Sequence, residues 1–406
     1  MGFELPKVPK PDHVPTELVL PTPFLIGIPT QQDPFSDLAD NVHKGPPVFY
    51  AEHAYPGLSP AWIVRRHADL QAIYFDTEHF SSKDFAPFAK LIGENWSLVP
   101  AEIDPPSHRL YRTMVNPLFT PKAMAKLEGK IRAYAREYIL GFKDKGQCEF
   151  VSEFAYEFPI KVFMELMGLP QERVQEFLSW EMDLLHNHDM GALIAATKKV
   201  VAYLESEVED RRANPRDDLI TWSTQAEVEG RKLTRDEIVG FTFNLFVGGL
   251  DTISSNMGLH FLHLARNPAD QQMLRENPAM IEAAIDEMMR AYPAVTTFRT
   301  VIKPVEVNGV KMLPGDKVAM CTTLAGRDPE AYDNPAEVRF DRKTRHVGFG
   351  YGPHLCVGMH LARREMRIAM EEFLALIPPF QLEEGHVVSY HVGVIQPEAL
   401  PLRWPA

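Results

Sequence analysis

The chain has 406 residues, 45% of them hydrophobic and 24% charged, which is enough apolar side chain to bury a large core in an ordinary globular protein. Its formal net charge of -13 argues against a nucleic-acid partner, whose phosphates it would repel rather than neutralise. Cys148, Cys321 and Cys356 offer no disulfide framework and suit a reducing, cytoplasmic compartment, and the apolar run from Leu18 to Ile28 is cut by Pro21 and Pro23 and is too short for a membrane span.

Residues 1–45 are rich in proline and show no usable periodicity, so they read as an extended arm packed on the rest of the chain. Strand-like segments follow at Pro47 to Tyr50 and Ala61 to Arg65, joined by a turn-rich stretch. Asp104 before Pro105-Pro106, and Thr120 before Pro121, each read as a helix N-cap with proline at the first helical position. Helical spacing then runs through Gly129 to Phe142, Phe154 to Met167, Pro170 to His186 and Met190 to Arg212. Thr234-Arg235-Asp236-Glu237 is a capping box that opens a long apolar helix ending near Arg266, before Pro268. Val305 to Met312 alternates around Asn308-Gly309 and predicts a type I′ hairpin. A strand from Lys317 to Thr322 and an amphipathic helix from Met359 to Ile377 follow, and the tail is short strands and turns. The 34 prolines are dispersed as punctuation, so there is no linker at which to divide the chain.

The chemistry concentrates in Phe349-Gly350-Tyr351-Gly352-Pro353-His354-Leu355-Cys356-Val357-Gly358, a glycine-studded loop emptying into the helix at Met359. Gly350, Gly352 and Gly358 predict positive φ and close approach to a flat partner, while free N–H groups at the helix start hold negative charge on sulfur. A buried structural cysteine is the plain alternative. Zinc is another, since His346, His354, Cys356 and His360 are near in sequence, but no C-x-x-C pair is present. Iron of a haem with an axial thiolate suits this setting better. In the long helix, Gly248-Gly249 costs roughly 1 kcal/mol per glycine relative to alanine, and it directly precedes Asp251-Thr252 in an apolar stretch. One glycine would suit helix packing; the pair, with an acid and an alcohol after it, predicts a local widening where something small sits against the backbone. Glu287 and Arg290, at i and i+3, read by themselves as a surface ion pair worth a few tenths of a kcal/mol, about the usual value.

The cysteine loop, together with His360-Leu361-Ala362-Arg363-Arg364-Glu365, resembles the cytochrome P450 family of haem-thiolate monooxygenases. Glu287-Met288-Met289-Arg290 is similar to its E-x-x-R helix, Gly248-Gly249-Leu250-Asp251-Thr252 to its oxygen-activating helix, and His108-x-x-x-Arg112 to its propionate-binding helix. The marks run in family order from about position 45 to the C-terminus, with the nearest likeness to the bacterial camphor-hydroxylase type, which shares G-G-L-D-T and a segment like Asp104-Pro105-Pro106. The resemblance implies a mainly α fold with a small β region, forming one triangular-prism-like domain over residues 1–406.

It further implies haem b bound by Cys356, with His108, Arg112, Arg299 and His354 on the propionates and Gly248 and Phe349 against the cofactor. Asp251 would gate proton delivery, Thr252 would hydrogen-bond the reacting oxygen, and Glu287 and Arg290 would brace the segment leading to the ligand. The substrate pocket would comprise Trp96, Phe88, Asn244, Val247, Val295 and Thr297. Trp96 and Asn244 depart from the camphor type, which favours a small apolar terpenoid or norisoprenoid ketone, ionone-like, over camphor. Arg109, Arg112, Arg339, Arg342, Lys343, Arg345, Arg363, Arg364 and Arg367 would form a basic face for an acidic electron donor. The chain carries no flavin or nicotinamide fingerprint, so that donor is expected to be a [2Fe-2S] ferredoxin fed by an NADH-dependent reductase. A peroxide-driven peroxygenase and a haem-thiolate sensor are the alternative readings, and Asp84, Gly93 and Glu94 form a possible monovalent-cation site.

Overall fold

The capping box at Thr234 does open a long helix: Thr234 Oγ1 accepts from the Glu237 N–H and Glu237 answers at the Thr234 N–H, 2.7 Å. The helix runs Arg235–Arg266 without interruption, 32 residues or about 48 Å at the usual rise. The structure is a computed structural model that describes residues 8–24, 29–56, 59–187, 189–343 and 345–405. Among the described residues this is the one helix long and apolar enough to cross a bilayer, but 72% of its most apolar window is buried inside the protein, so it is a core helix. Helices Glu157–Met167 and Met190–Ala213 and strand Ile395–Pro397 pack around it.

Helix accounts for 53% and strand for 14% of the structure, the mainly α cytochrome P450 fold that the motifs imply. Helices Glu128–Phe142 and Met359–Leu376 pack on each other, and Phe142, Phe150, Phe154, Phe261, Phe373 and Phe380 fill the space between them and the long helix with edge and stacked ring contacts. The Thr120 cap holds, its hydroxyl accepting from the Ala123 N–H at 3.2 Å. The Asp104 cap does not. The helix there starts at Ser107, and the Asp104 carboxylate instead takes the Ser81 hydroxyl at 2.5 Å and the Ser82 N–H at 2.8 Å.

The β region is a five-stranded sheet in the order Val48–Tyr55, Ser59–Val64, Lys317–Cys321, Thr296–Val301, Phe80–Ser81. Only the Lys317–Cys321 pairing with Ser59–Val64 is parallel. Thr296–Val301 carries no strong alternation in sequence, yet its place between Lys317–Cys321 and Phe80–Ser81 puts Thr297 and Arg299 beside the cavity described below. The Asn308-Gly309 hairpin forms as expected, with both residues at positive φ, 49° and 75°. The amino-terminal arm is tied to the body by single bridges, Val19 to Tyr50 and Thr30 to Tyr390.

Glu237 receives Arg231 at 2.7 Å and the Tyr111 hydroxyl as well as the cap, and the Arg231 hydrogen bonds, foremost, hold its carboxyl down at about 2. A depressed carboxylate contributes stability that is fully present above its unfolded value, near 4.5, and is lost as pH falls toward the folded value. Glu237→Gln should therefore lower the urea midpoint at about pH 6 but flatten its decline between about pH 5 and pH 3 relative to the parent chain. Equal slopes would mean that this carboxylate is not linked to folding.

Candidate functional site

The cysteine loop closes on itself through the Gly350 N–H to the Val347 carbonyl, 2.8 Å, and the Cys356 N–H to the Phe349 carbonyl, 2.9 Å. Gly350 and Gly352 take φ of 71° and 65°, and a Cβ at Gly352 would meet the Tyr74 carbonyl at 3.0 Å, so both the turn and the contact require glycine. Gly358 differs from expectation: its φ is -81°, and its place is at the helix start, where its N–H and that of Met359 point at the Cys356 sulfur. Burial pushes the thiol up, and those N–H groups and Arg112 oppose the rise, so the surroundings favour a thiolate once a metal displaces the proton. The zinc alternative finds no geometry here. His346 faces Asp286 at 3.6 Å and His354 stacks on His108 with ring centres 4.0 Å apart.

The sulfur opens into a cavity of about 660 Å³ lined by Cys356, Phe349, His108, Arg112, Arg299, His354, Gly248 and Thr252 together with apolar side chains. His108 and His354 are pushed down to about 4 and about 2, first by burial and then by neighbouring cations. Buried His108 Nε2 has no hydrogen-bond partner, and no carboxylate among the described residues lies within ion-pair range of Arg112 or Arg299. Arg112 donates to the Leu355 carbonyl at 2.8 Å and Arg299 to the Phe298 carbonyl at 2.7 Å. Four cationic or donor side chains thus share a buried rim with no anion of their own, and the two propionates of a haem fit that deficit.

On the opposite wall the two glycines separate. A Cβ at Gly248 would meet nothing within 4 Å, since that position faces the cavity, whereas one at Gly249 would meet Phe163 at 3.2 Å, so Gly249 is a packing glycine under helix Glu157–Met167. No break in the helix accompanies the expected widening. The helix is continuous, with the Thr252 hydroxyl donating back to the Gly248 carbonyl at 3.0 Å and Asn256 Nδ2 to the Thr252 carbonyl at 2.6 Å. Thr252 is exposed to the cavity, while Asp251 is 2% exposed and is held by His186, Nε2 to Oδ1 at 2.9 Å. Sequence reasoning missed His186 and, beside it, the fully buried Glu181; both lie in a segment that reads only as a helix with polar interruptions, and no spacing links them to Asp251.

Phe88, Asn244, Val295 and Thr297 line the cavity as expected. Trp96 and Val247 do not. The Trp96 indole packs on Phe243 at 4.9 Å, while Phe88, also against Phe243, takes the cavity-facing place, and Val247 turns to the packed core. Thr297 is engaged with the Tyr74 hydroxyl at 2.8 Å. Asn244 donates to the Val99 carbonyl at 3.2 Å; the opposite amide orientation would set oxygen against oxygen, so its own oxygen is the acceptor left for a ligand. Asp84 and Glu94 pair with Lys90 at 3.0 Å and Arg235 at 2.9 Å, so cations of the chain already neutralise the two carboxylates of the possible cation site.

The basic face is thinner than its sequence. Arg363 pairs with Asp286 at 2.9 Å, Arg364 with Glu128, Arg367 with Glu128 and Glu371, and Arg342 with Glu287. Arg109 and Lys343 are exposed and make no ion pair among the described residues. Glu287 and Arg290 are no surface pair: both are fully buried, joined at 2.7 and 3.0 Å, with Arg342 Nε and the Arg339 N–H on the same Glu287 oxygen. Arg290 also donates to the carbonyls of Gly326, Pro335 and Glu337, which ties the segment before the cysteine loop to helix Ile281–Ala291. Glu287→Gln would leave buried guanidinium charge uncompensated, with a cost of about 3–5 kcal/mol. The expected readout is a large drop in urea midpoint together with haem-deficient protein; a variant that loads haem and unfolds like the parent would remove this bracing role.

With this geometry in place, the likenesses to known proteins fit it. The family model for Cytochrome P450 matches residues 160–384. The Probable cytochrome P450 127A1 of Sinorhizobium fredii is 38% identical over 392 residues, 95% of this chain and 94% of that protein. The Erythromycin C-12 hydroxylase of Saccharopolyspora erythraea is 35% identical over 77% of this chain and 81% of its own. The crystal structure of CYP101J2 superposes with a TM-score of 0.88 at 31% identity, covering 98% of this chain and 100% of that one. The chain belongs to the cytochrome P450 family and is a bacterial, CYP101-like haem-thiolate monooxygenase whose cofactor is haem b.

Proposed function

We propose that this enzyme hydroxylates an unactivated C–H bond of a small apolar molecule of terpenoid or norisoprenoid size, with Cys356 as the residue that would hold the haem iron. O₂ is the oxidant, and two electrons come from a [2Fe-2S] ferredoxin served by an NADH-dependent reductase in the cytoplasm. The observation that carries the reading is one thiol, ringed by N–H donors, facing Thr252 and the open side of Gly248 across an apolar chamber. Haem b, when bound, supplies the binding and activation of O₂. The chain's own part is to hold sulfur negative at Cys356, to anchor two carboxylates with His108, Arg112, Arg299 and His354, and to keep a proton source at Asp251 beside the Thr252 hydroxyl. That acid-alcohol pair favours O₂-dependent turnover over a peroxide-driven reaction. Residues 1–406 act as one domain, and ferredoxin docking centres on Arg109, Lys343 and Arg345, exposed cations of this face that make no ion pair among the described residues.

Substrate size follows from the chamber walls. Phe85, Phe88, Leu184, Leu185 and Phe163 crowd the space opposite the sulfur, which suits a compact hydrocarbon better than a macrolide, although the hydroxylase from Saccharopolyspora is named for erythromycin. The ketone handle expected from Trp96 loses its donor, since the indole is buried against Phe243 and does not line the cavity. Asn244 provides an acceptor instead, so a hydroxyl on the same skeleton is the better match.

Two measurements test this. Cys356→Ser should abolish the red-shifted band of the reduced, carbon-monoxide-bound protein, and its retention would remove that sulfur as ligand. In spin-state titrations, an ionone-type alcohol should bind about 2- to 10-fold tighter than its ketone, the worth of one hydrogen bond, and Asn244→Leu should erase the difference. A spin shift with erythromycin and none with the terpenoid pair would overturn the size assignment.

A further inference from the structure

Behind Asp251, away from the cavity, lies a buried cluster that the family marks do not include. Helix Val174–Glu181 runs into the turn Met182–His186, and the two ends of that turn press Glu181 and His186 against the long helix at Asp251. The potential donor and acceptor atoms of these three side chains lie within 4.8 Å of one another. Glu181 is 0% exposed, and neither of its carboxyl oxygens has a hydrogen-bond partner; Asp251 Oδ2 also lacks one. The other polar groups around the cluster are Tyr156, Ser255, Gln396 and His391. Gln396 Nε2 approaches His186 Nδ1 at 3.4 Å while its Oε1 accepts from the Ser255 hydroxyl at 3.1 Å, and the His391 ring stands 5.0 Å from that of His186.

No Lys or Arg among the described residues pairs with either carboxyl group. With Gln396 donating to Nδ1, the His186 N–H on Nε2 points at Asp251 Oδ1, so Asp251, and not Glu181, is the acid that receives the one N–H in the cluster able to support a negative charge. A second buried carboxylate next to it would have neither counterion nor donor, so the arrangement is tenable only if Glu181 carries the proton.

We propose that Glu181 is a neutral carboxylic acid that supplies protons to Asp251, making it the positioning residue behind the Asp251–Thr252 pair. In each transfer the O–H bond of Glu181 breaks and one forms on Asp251 Oδ2. Asp251 then yields a proton toward Thr252, and Glu181 regains its proton from solvent, the turn that carries it ending at exposed Asn187. Burial first, and the Asp251 charge second, push the Glu181 carboxyl well above its ordinary range, in keeping with this state. The proposal rests on the role given to Asp251 above.

The first readout does not depend on turnover. Infrared spectra of the ferric holoenzyme should contain the C=O stretch of a protonated carboxyl that shifts in D₂O and disappears in Glu181→Gln. Glu365→Gln is the control, since Glu365 is the other fully buried carboxyl pushed well up by burial, and it should leave that band in place. In turnover with a substrate, Glu181→Gln should reduce product per NADH by about tenfold or more, within the general-acid range, while the spin-state titration stays unchanged. Loss of no protonated-carboxyl component in Glu181→Gln, parental coupling in that variant, or a bound divalent cation in metal analysis that the variant loses would each overturn the proposal. Asp251→Asn separates the two readings: if it couples like the parent, the Asp251 role fails, and if it uncouples while Glu181→Gln does not, only the Glu181 role fails.

Discussion

The buried pair of Glu287 and Arg290 is the constraint on which the site depends. Two fully desolvated charges are tolerated because their own polar atoms are used: Glu287 takes Arg342 and a backbone N–H as well as Arg290, and Arg290 reaches three carbonyls from two further segments. Buried pairs of this kind contribute little net stability, but removing one partner strands the other, so they fix where segments meet rather than how strongly they adhere. The segments fixed here are those that lead to the cysteine loop. Gly348 shows how close the approach is, for a Cβ there would meet the Met289 carbonyl on the same helix at 2.9 Å.

From that anchor the two sides of the cavity acquire opposite electrostatics. The loop side and the sheet present Arg112, Arg299, two depressed imidazoles and N–H groups aimed at sulfur, a field prepared for three negative charges. The long helix presents a hydroxyl toward the cavity and, one residue earlier, a buried carboxyl group that reaches His186 and lies beside a second acid. Positive charge thus suits the cofactor's carboxylates on one side, while the titratable acids lie on the other. Two consecutive residues on a helix face directions about 100° apart, which lets Thr252 line the cavity while Asp251 reaches the cluster behind it.

Elements with strong local signals were legible in the sequence. The Thr234 capping box, the Thr120 cap, the Asn308-Gly309 hairpin and the helix after Gly358 lie where their residues place them, because each is decided by chemistry within a few positions. What failed was decided at long range. Asp104 left its helix because Ser81 and Ser82, 22 or 23 positions earlier, offer hydrogen bonds; Trp96 yielded the cavity to Phe88 because Phe243 stacks behind both. Glu287 and Arg290 read as exposed because i,i+3 spacing says nothing about what covers a helix face. The cationic run after Cys356 is in large part matched by acids on helices Glu128–Phe142 and Ile281–Ala291 that no charge count could assign to it.

Gly248 and Gly249 carry this distinction to a single dipeptide. Each lowers helix stability by about the same roughly 1 kcal/mol, and sequence gives no reason to divide them. Their neighbours do: Phe163 sits against one, and open space against the other. The continuous hydrogen-bonded helix through this point means that the room for a small guest comes from a missing side chain at Gly248 and not from a distorted backbone. The Thr252 hydroxyl, committed to the Gly248 carbonyl in this state, can swing from that acceptor toward the space beside Gly248 by a χ1 rotation alone, without breaking any rung of the helix. A side chain at position 248 would fill the volume into which that rotation delivers the hydroxyl, so the glycine and the threonine function as one unit separated by a single helical turn.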